Sequence, residues 1–123
     1  MIEDLSWTWT VHGESLELPQ SQPERHGLSV RFARRGEPKR GGQGVLDFDQ
    51  ATVRGASLVD VLDLAREIVS ASSGMEQASQ FLLLTLPYSG QCNIDLPATE
   101  LGMAAELGCG LGITCYEISP ETQ

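Results

Sequence analysis

This chain of 123 residues is poor in several things at once, and each shortage removes a class of function. Its longest apolar run, Phe81–Leu84, is far short of the roughly 18 residues that a membrane-crossing helix needs. The opening MIEDLSWTWTV has no Lys or Arg ahead of its apolar residues and carries Glu3 and Asp4, so it does not read as a secretory signal. Cysteine is limited to Cys92, Cys109 and Cys115, an odd number without CxxC spacing, which argues against a disulfide framework or a zinc knuckle. A soluble protein of the reducing cytoplasm is expected. Bases are also few, 8 against 17 acids, and Arg66 is the only one after Arg54.

Catalytic signatures are missing too. Neither His12 nor His26 has a metal-ligand partner at a useful spacing, so no metal is expected. Ser73-Gly74 and Ser89-Gly90 lack the GxSxG frame of a nucleophile elbow. The glycines of GQGVLDFD and the series Gly108, Gly110, Gly112 lack the GxxxxGK[ST] pattern, and the latter runs into a strand, whereas a phosphate loop opens a helix. The cysteines fall in apolar strand or turn contexts and read as inert thiols. No catalytic residue and no cofactor is assigned.

What remains is an ordinary globular composition, 41% hydrophobic and 20% charged, in a length typical of one domain, residues 1–123. Leu5, Trp7, Trp9 and Val11 alternate with polar residues, a strand with one buried face and both tryptophans as core anchors. Leu28, Val30 and Phe32 predict a second strand, and Val45–Asp49 a third, with Asp47 and Asp49 on its solvated side. Between them RRGEPKRGGQG, residues 34–44, is a basic, glycine-rich surface loop.

Ser57 and Asp60 form a capping-box pattern ahead of Leu58, Val61, Leu62, Ala65, Ile68 and Val69, the apolar stripe of an amphipathic helix. Phe81–Leu86 predicts the most apolar strand and the centre of the sheet, packed on both sides. A short strand is expected over Cys92, Ile94 and Leu96, a helix from Pro97 to Gly108, and a last strand through Leu111, Ile113 and Cys115. Gly102 inside that helix requires Leu101, Ala104, Ala105 and Leu107 to hold it by packing. From Val45 this is the ferredoxin-like βαββαβ order, an α+β fold with two helices on one face of a mainly antiparallel sheet and additional N-terminal strands.

Charge is unevenly distributed. Residues 1–24 hold five acids and no base, residues 25–54 seven bases and three acids, and residues 55–123 one base and nine acids, for a net charge of −9. Such a chain is poorly suited to nucleic acid and well suited to a basic partner. Asp60, Asp63 and Glu67 share one sector of the first helix, and Glu14 and Glu17 lie in the loop after the first strand. These five are the candidate partner-binding residues. A cation-binding or acid–base pair at Asp47 and Asp49, and a phosphate contact through Arg34, Arg35, Lys39 and Arg40, are the competing sites.

RFARRGEPKRGG followed by a strand, then an acidic helix, then NIDLPATELGMAAELGCGLGITCYE, resembles a bacterial family of small α+β domains of unknown function. The matching positions are Arg35-Gly36-Glu37-Pro38, Pro97, Leu107-Gly108 and Tyr116. Leu96 stands where that family has Ser or Asp before the helix proline, and Leu46 and Phe48 stand where a Trp is usual. Stand-alone proteins of this kind are similar to the acidic immunity proteins that neutralise secreted or contact-dependent bacterial toxins. The resemblance implies a non-enzymatic binding protein with a cognate toxin domain as partner. A small-ligand sensor or enzyme with a pocket between helices and sheet is the alternative.

Overall fold

The computed structural model describes residues 5–18, 27–39, 42, 44–73, 78–88, 90 and 94–117. His26, Arg40 and Cys92, and the expectations attached to them, lie outside the described residues. The elements are β1 (Ser6–Gly13), β2 (Ser29–Ala33), β3 (Asp49–Gly55), α1 (Leu58–Ala71), β4 (Ser79–Tyr88), α2 (Ala98–Leu107) and β5 (Gly110–Glu117). One five-stranded sheet runs β2-β3-β1-β4-β5.

The fold is α+β, and the sheet is mixed. β1 pairs antiparallel with β3 and β4, β2 pairs antiparallel with β3, and β4 pairs parallel with β5. Because β3 and β4 both oppose β1, the helices α1 and α2 each cross between strands of the same direction. No strand interrupts Ile94–Pro97, so from Asp49 the described residues read βαβαβ, and the ferredoxin-like order is not seen among them.

The period-two pattern of β1 is realised directly. Trp7, Trp9 and Val11 are buried, and the register sets Trp9 opposite Val53 on one side and Leu82 on the other. Those inward residues meet Leu58, Val61, Leu62, Leu64, Ala65 and Ile68 of α1, with Ala104 of α2 joining the same core. The opposite face of the sheet presents Thr8, Thr10, Thr52, Arg31 and Arg54 at β1, β2 and β3, and Phe81 at β4.

Four expectations need correction. The strand predicted over Val45–Asp49 begins only at Asp49, because Val45–Leu46 is the returning arm of a hairpin and Phe48 is 46% exposed. The central strand is β1; β4 lies one place from it, and although Leu82 and Leu84 are buried, Phe81 on its other face is 46% exposed. Asp49 is not on a solvated face but is buried at the start of β3, while Asp47 is exposed outside the strand. Finally, of the four residues expected to hold α2 by packing, Ala104 is buried and Leu107 packs half-buried against the core, whereas Leu101 and Ala105 are exposed.

Candidate functional site: an acidic helix and a basic hairpin

Ser57 starts α1 by accepting the Asp60 N–H on its hydroxyl at 3.3 Å. That satisfies one of the amides left unpaired at a helix start and places Asp60 in the first turn, where a carboxylate is favoured. Asp60 is exposed, and Asp63 and Glu67 are half-buried on the same stripe, three and seven residues on. The spacing on the helix thus brings these three predicted residues together.

Glu14 and Glu17 are both exposed and belong to the other end of α1. The Ser73 N–H donates to the Ser15 carbonyl at 3.0 Å, and the Glu17 N–H donates to the Ser72 hydroxyl at 2.9 Å. The Ser72 hydroxyl in turn donates to the Ile68 carbonyl at 2.6 Å. Glu17 is therefore fixed beside the helix C-terminus, about 18 Å along the axis from Asp60 at 1.5 Å per residue. No basic residue occupies the last turn of α1. The negative end of the helix dipole and the nearby carboxylates add to the same field. The five candidates form an extended acidic strip along α1 and past its end, not a compact cluster.

The bases are arranged differently. Residues 36–39 and 44–46 are the two arms of a hairpin in which the Gly36 N–H donates to the Leu46 carbonyl, the Leu46 N–H to the Glu37 carbonyl and the Lys39 N–H to the Gly44 carbonyl, at 2.9, 2.8 and 3.0 Å. Asp49 anchors its base. Its carboxylate accepts the Arg35 N–H at 2.8 Å, the Leu16 N–H at 3.2 Å and Arg34 Nη1 at 3.2 Å. Arg34 Nη1 also donates to the Leu16 carbonyl at 2.9 Å, and its guanidinium lies 4.4 Å from the centre of the Phe32 ring. Burial pushes the Asp49 pKa upward, but the two backbone donors and the guanidinium outweigh it and hold the group below its ordinary value. Asp49 is thus a structural anchor, and of the basic residues predicted as a phosphate contact Arg34 is occupied with it.

A cavity of about 390 Å³ opens on the helix-free face of the sheet, between β2, β3 and the hairpin. Arg31, Gln50 and Thr52 line it from the strands, and Glu37, Pro38, Lys39 and Leu46 from the hairpin. It is on the opposite side of the sheet from the pocket expected between helices and sheet. Among the described residues no group of three or more His, Cys, Asp and Glu side chains could hold a metal ion.

Gln80 was not singled out by any sequence signal. Its Oε1 accepts the Trp9 indole N–H at 3.1 Å and the Cys109 thiol at 3.7 Å, and its Nε2 donates to the Leu107 carbonyl at 2.7 Å. This joins the sheet centre to the C-terminal end of α2. Burial raises the Cys109 pKa against a lowering hydrogen bond from Trp9, keeping the thiol protonated at neutral pH. A glutamine at an inward position of an otherwise apolar strand was the only available hint. No family model, curated protein or solved structure matches this chain.

Proposed function

We propose that this chain is a non-enzymatic cytoplasmic binding protein, an immunity-type protein that neutralises a cognate, basic bacterial toxin domain. The observation that carries the reading is the acidic strip on α1. Among the described residues no ion pair reaches Asp60 or Asp63, while Arg34 of the basic hairpin is engaged by Asp49 on another element. Asp60 and Asp63 are therefore available to a cationic surface without breaking an ion pair among the described residues.

In this mechanism Asp60, Asp63 and Glu67 steer the partner in and occupy sites where phosphates of a nucleic-acid substrate would bind, and Glu14 and Glu17 extend the contact beyond the helix end. Steering of this kind raises the association rate and weakens with salt. The test is co-expression with the protein encoded by the neighbouring reading frame, followed by size exclusion. A stable complex whose association slows with added salt and with D60N/D63N supports the reading. Failure to form a complex, or one indifferent to both, would sink it.

A further inference from the structure

We infer that the cavity under the basic hairpin is a binding site for a small oxyanion, a phosphate- or carboxylate-bearing molecule with a compact apolar body. The argument starts from which charges around the hairpin are already committed. Arg34 is held by Asp49 and the Leu16 carbonyl, and the Glu37 carboxylate accepts the Arg34 N–H at the hairpin's own base. Arg31 and Lys39, the two cations that line the cavity, have no side-chain partner among the described residues. The same holds for the Thr52 hydroxyl and the Gln50 amide between them. Four unengaged polar groups, each able to donate a hydrogen bond, therefore converge on one space.

The walls are preformed. Lys39 and Leu46 are in hydrogen-bonded arms of the hairpin, and Arg31 and Thr52 are opposite one another in the β2–β3 register. A ligand entering here does not have to order a loop, which is the main cost of binding at flexible sites. Leu46 and Pro38 supply apolar surface beside the donors, and the volume is that of a small-molecule pocket. Arg54 is the other charged strand residue on this face, also positive, and with Arg31 and Lys39 it outnumbers the Glu37 carboxylate at the cavity wall, so the local field opposes the net charge of −9 and favours an anion. The site is on the opposite face from the α1 acids, so it stands or falls separately from the toxin-binding reading.

The test titrates the full chain with phenyl phosphate and, separately, with benzoate, following the Arg31 side-chain Nε–H and the Thr52 and Lys39 amides by NMR. Saturable shifts confined to these groups are expected. Either Arg31→Gln or Lys39→Gln is expected to weaken binding about tenfold, the usual effect of one charge-assisted hydrogen bond. Arg54→Gln, on the same face but outside the cavity, removes only a distant, salt-screened charge and should weaken binding far less than either. These positions are exposed, and unchanged circular dichroism verifies the fold of each variant. Tighter binding of phenyl phosphate assigns a phosphate-bearing ligand, and tighter binding of benzoate a carboxylate-bearing one. Absence of saturable shifts with both probes, or shifts that survive in R31Q/K39Q, overturns the site.

Discussion

Arg34 and Asp49 meet at 3.2 Å, but they share the pair unequally: the arginine side chain is 53% exposed and the aspartate side chain 9%. Removing the arginine deletes a half-solvated cation, and Asp49 keeps the Arg35 and Leu16 N–H groups. Removing the aspartate strands both N–H groups and breaks the tie between the hairpin, the segment after β1 and the start of β3. Arg34→Ala is therefore expected to cost about 1 kcal/mol or less and Asp49→Ala about 3 kcal/mol. Urea midpoints of the two variants, at unchanged m-value, check the order.

The same residue sets an acid limit to stability. Its folded pKa lies below the ordinary 3.8, so the unfolded chain takes up the proton first as pH falls. The stabilisation is complete above the unfolded value and is lost as pH drops below it through the folded value. Wild type and Asp49→Asn, compared by urea unfolding, should differ most above the ordinary carboxylate value of 3.8 and converge as the pH falls below it. A gap that widened with acid would contradict the assignment.

Gly102 is in the middle of α2, exposed, and a Cβ built there meets nothing within 4 Å. The conformational penalty of glycine in a helix is not compensated by any close approach. Gly102→Ala should raise stability by about 0.5–1 kcal/mol, seen as a higher thermal midpoint. Gly55 is the reverse case. A Cβ there comes 2.5 Å from Leu28 Cδ2 and 3.3 Å from Val61 Cγ2, so Gly55→Ala is expected to cost about 1–3 kcal/mol through displaced core side chains.

Strong periodicity was reliable: the Trp7, Trp9, Val11 alternation and the Leu58–Val69 stripe with its Ser57 cap became β1 and α1, and Gly108, at φ 80°, ends α2. β3 was hidden because its buried face is Asp49, Ala51, Val53 and Gly55, and a buried carboxylate and a glycine do not register as a hydrophobic repeat. Leu46 and Phe48 imitated that repeat one element too early. The apolar run at Phe81 does not mark the centre because hydrophobicity does not encode strand order; β1 is central, between its antiparallel partners β3 and β4. The acidic stripe was readable from helical spacing alone, whereas the place of Glu17 at the end of α1 depends on its bond to Ser72, a contact between residues 55 positions apart. The cavity likewise depends on the β2–β3 pairing and the hairpin's fold-back.

The acidic strip permits a separation of binding from stability. Asp60, Asp63 and Glu67 are on the outer side of α1, while Leu58, Val61, Leu62, Leu64, Ala65 and Ile68 hold it to the sheet. Replacing Asp60 and Asp63 by Asn removes two charges without touching the core, and the Asp60 backbone N–H still reaches Ser57. The folding free energy of D60N/D63N should therefore stay within about 0.5 kcal/mol of wild type, the usual range for surface changes. Ser57→Ala, which leaves both charges and removes the cap, should cost about 1 kcal/mol instead. If both acids act by steering, D60N/D63N slows association with a cationic partner and flattens its salt dependence, whereas Ser57→Ala leaves both alone while lowering the melting temperature. A double variant that unfolds as readily as the cap mutant would place these carboxylates in the fold and not at the interface.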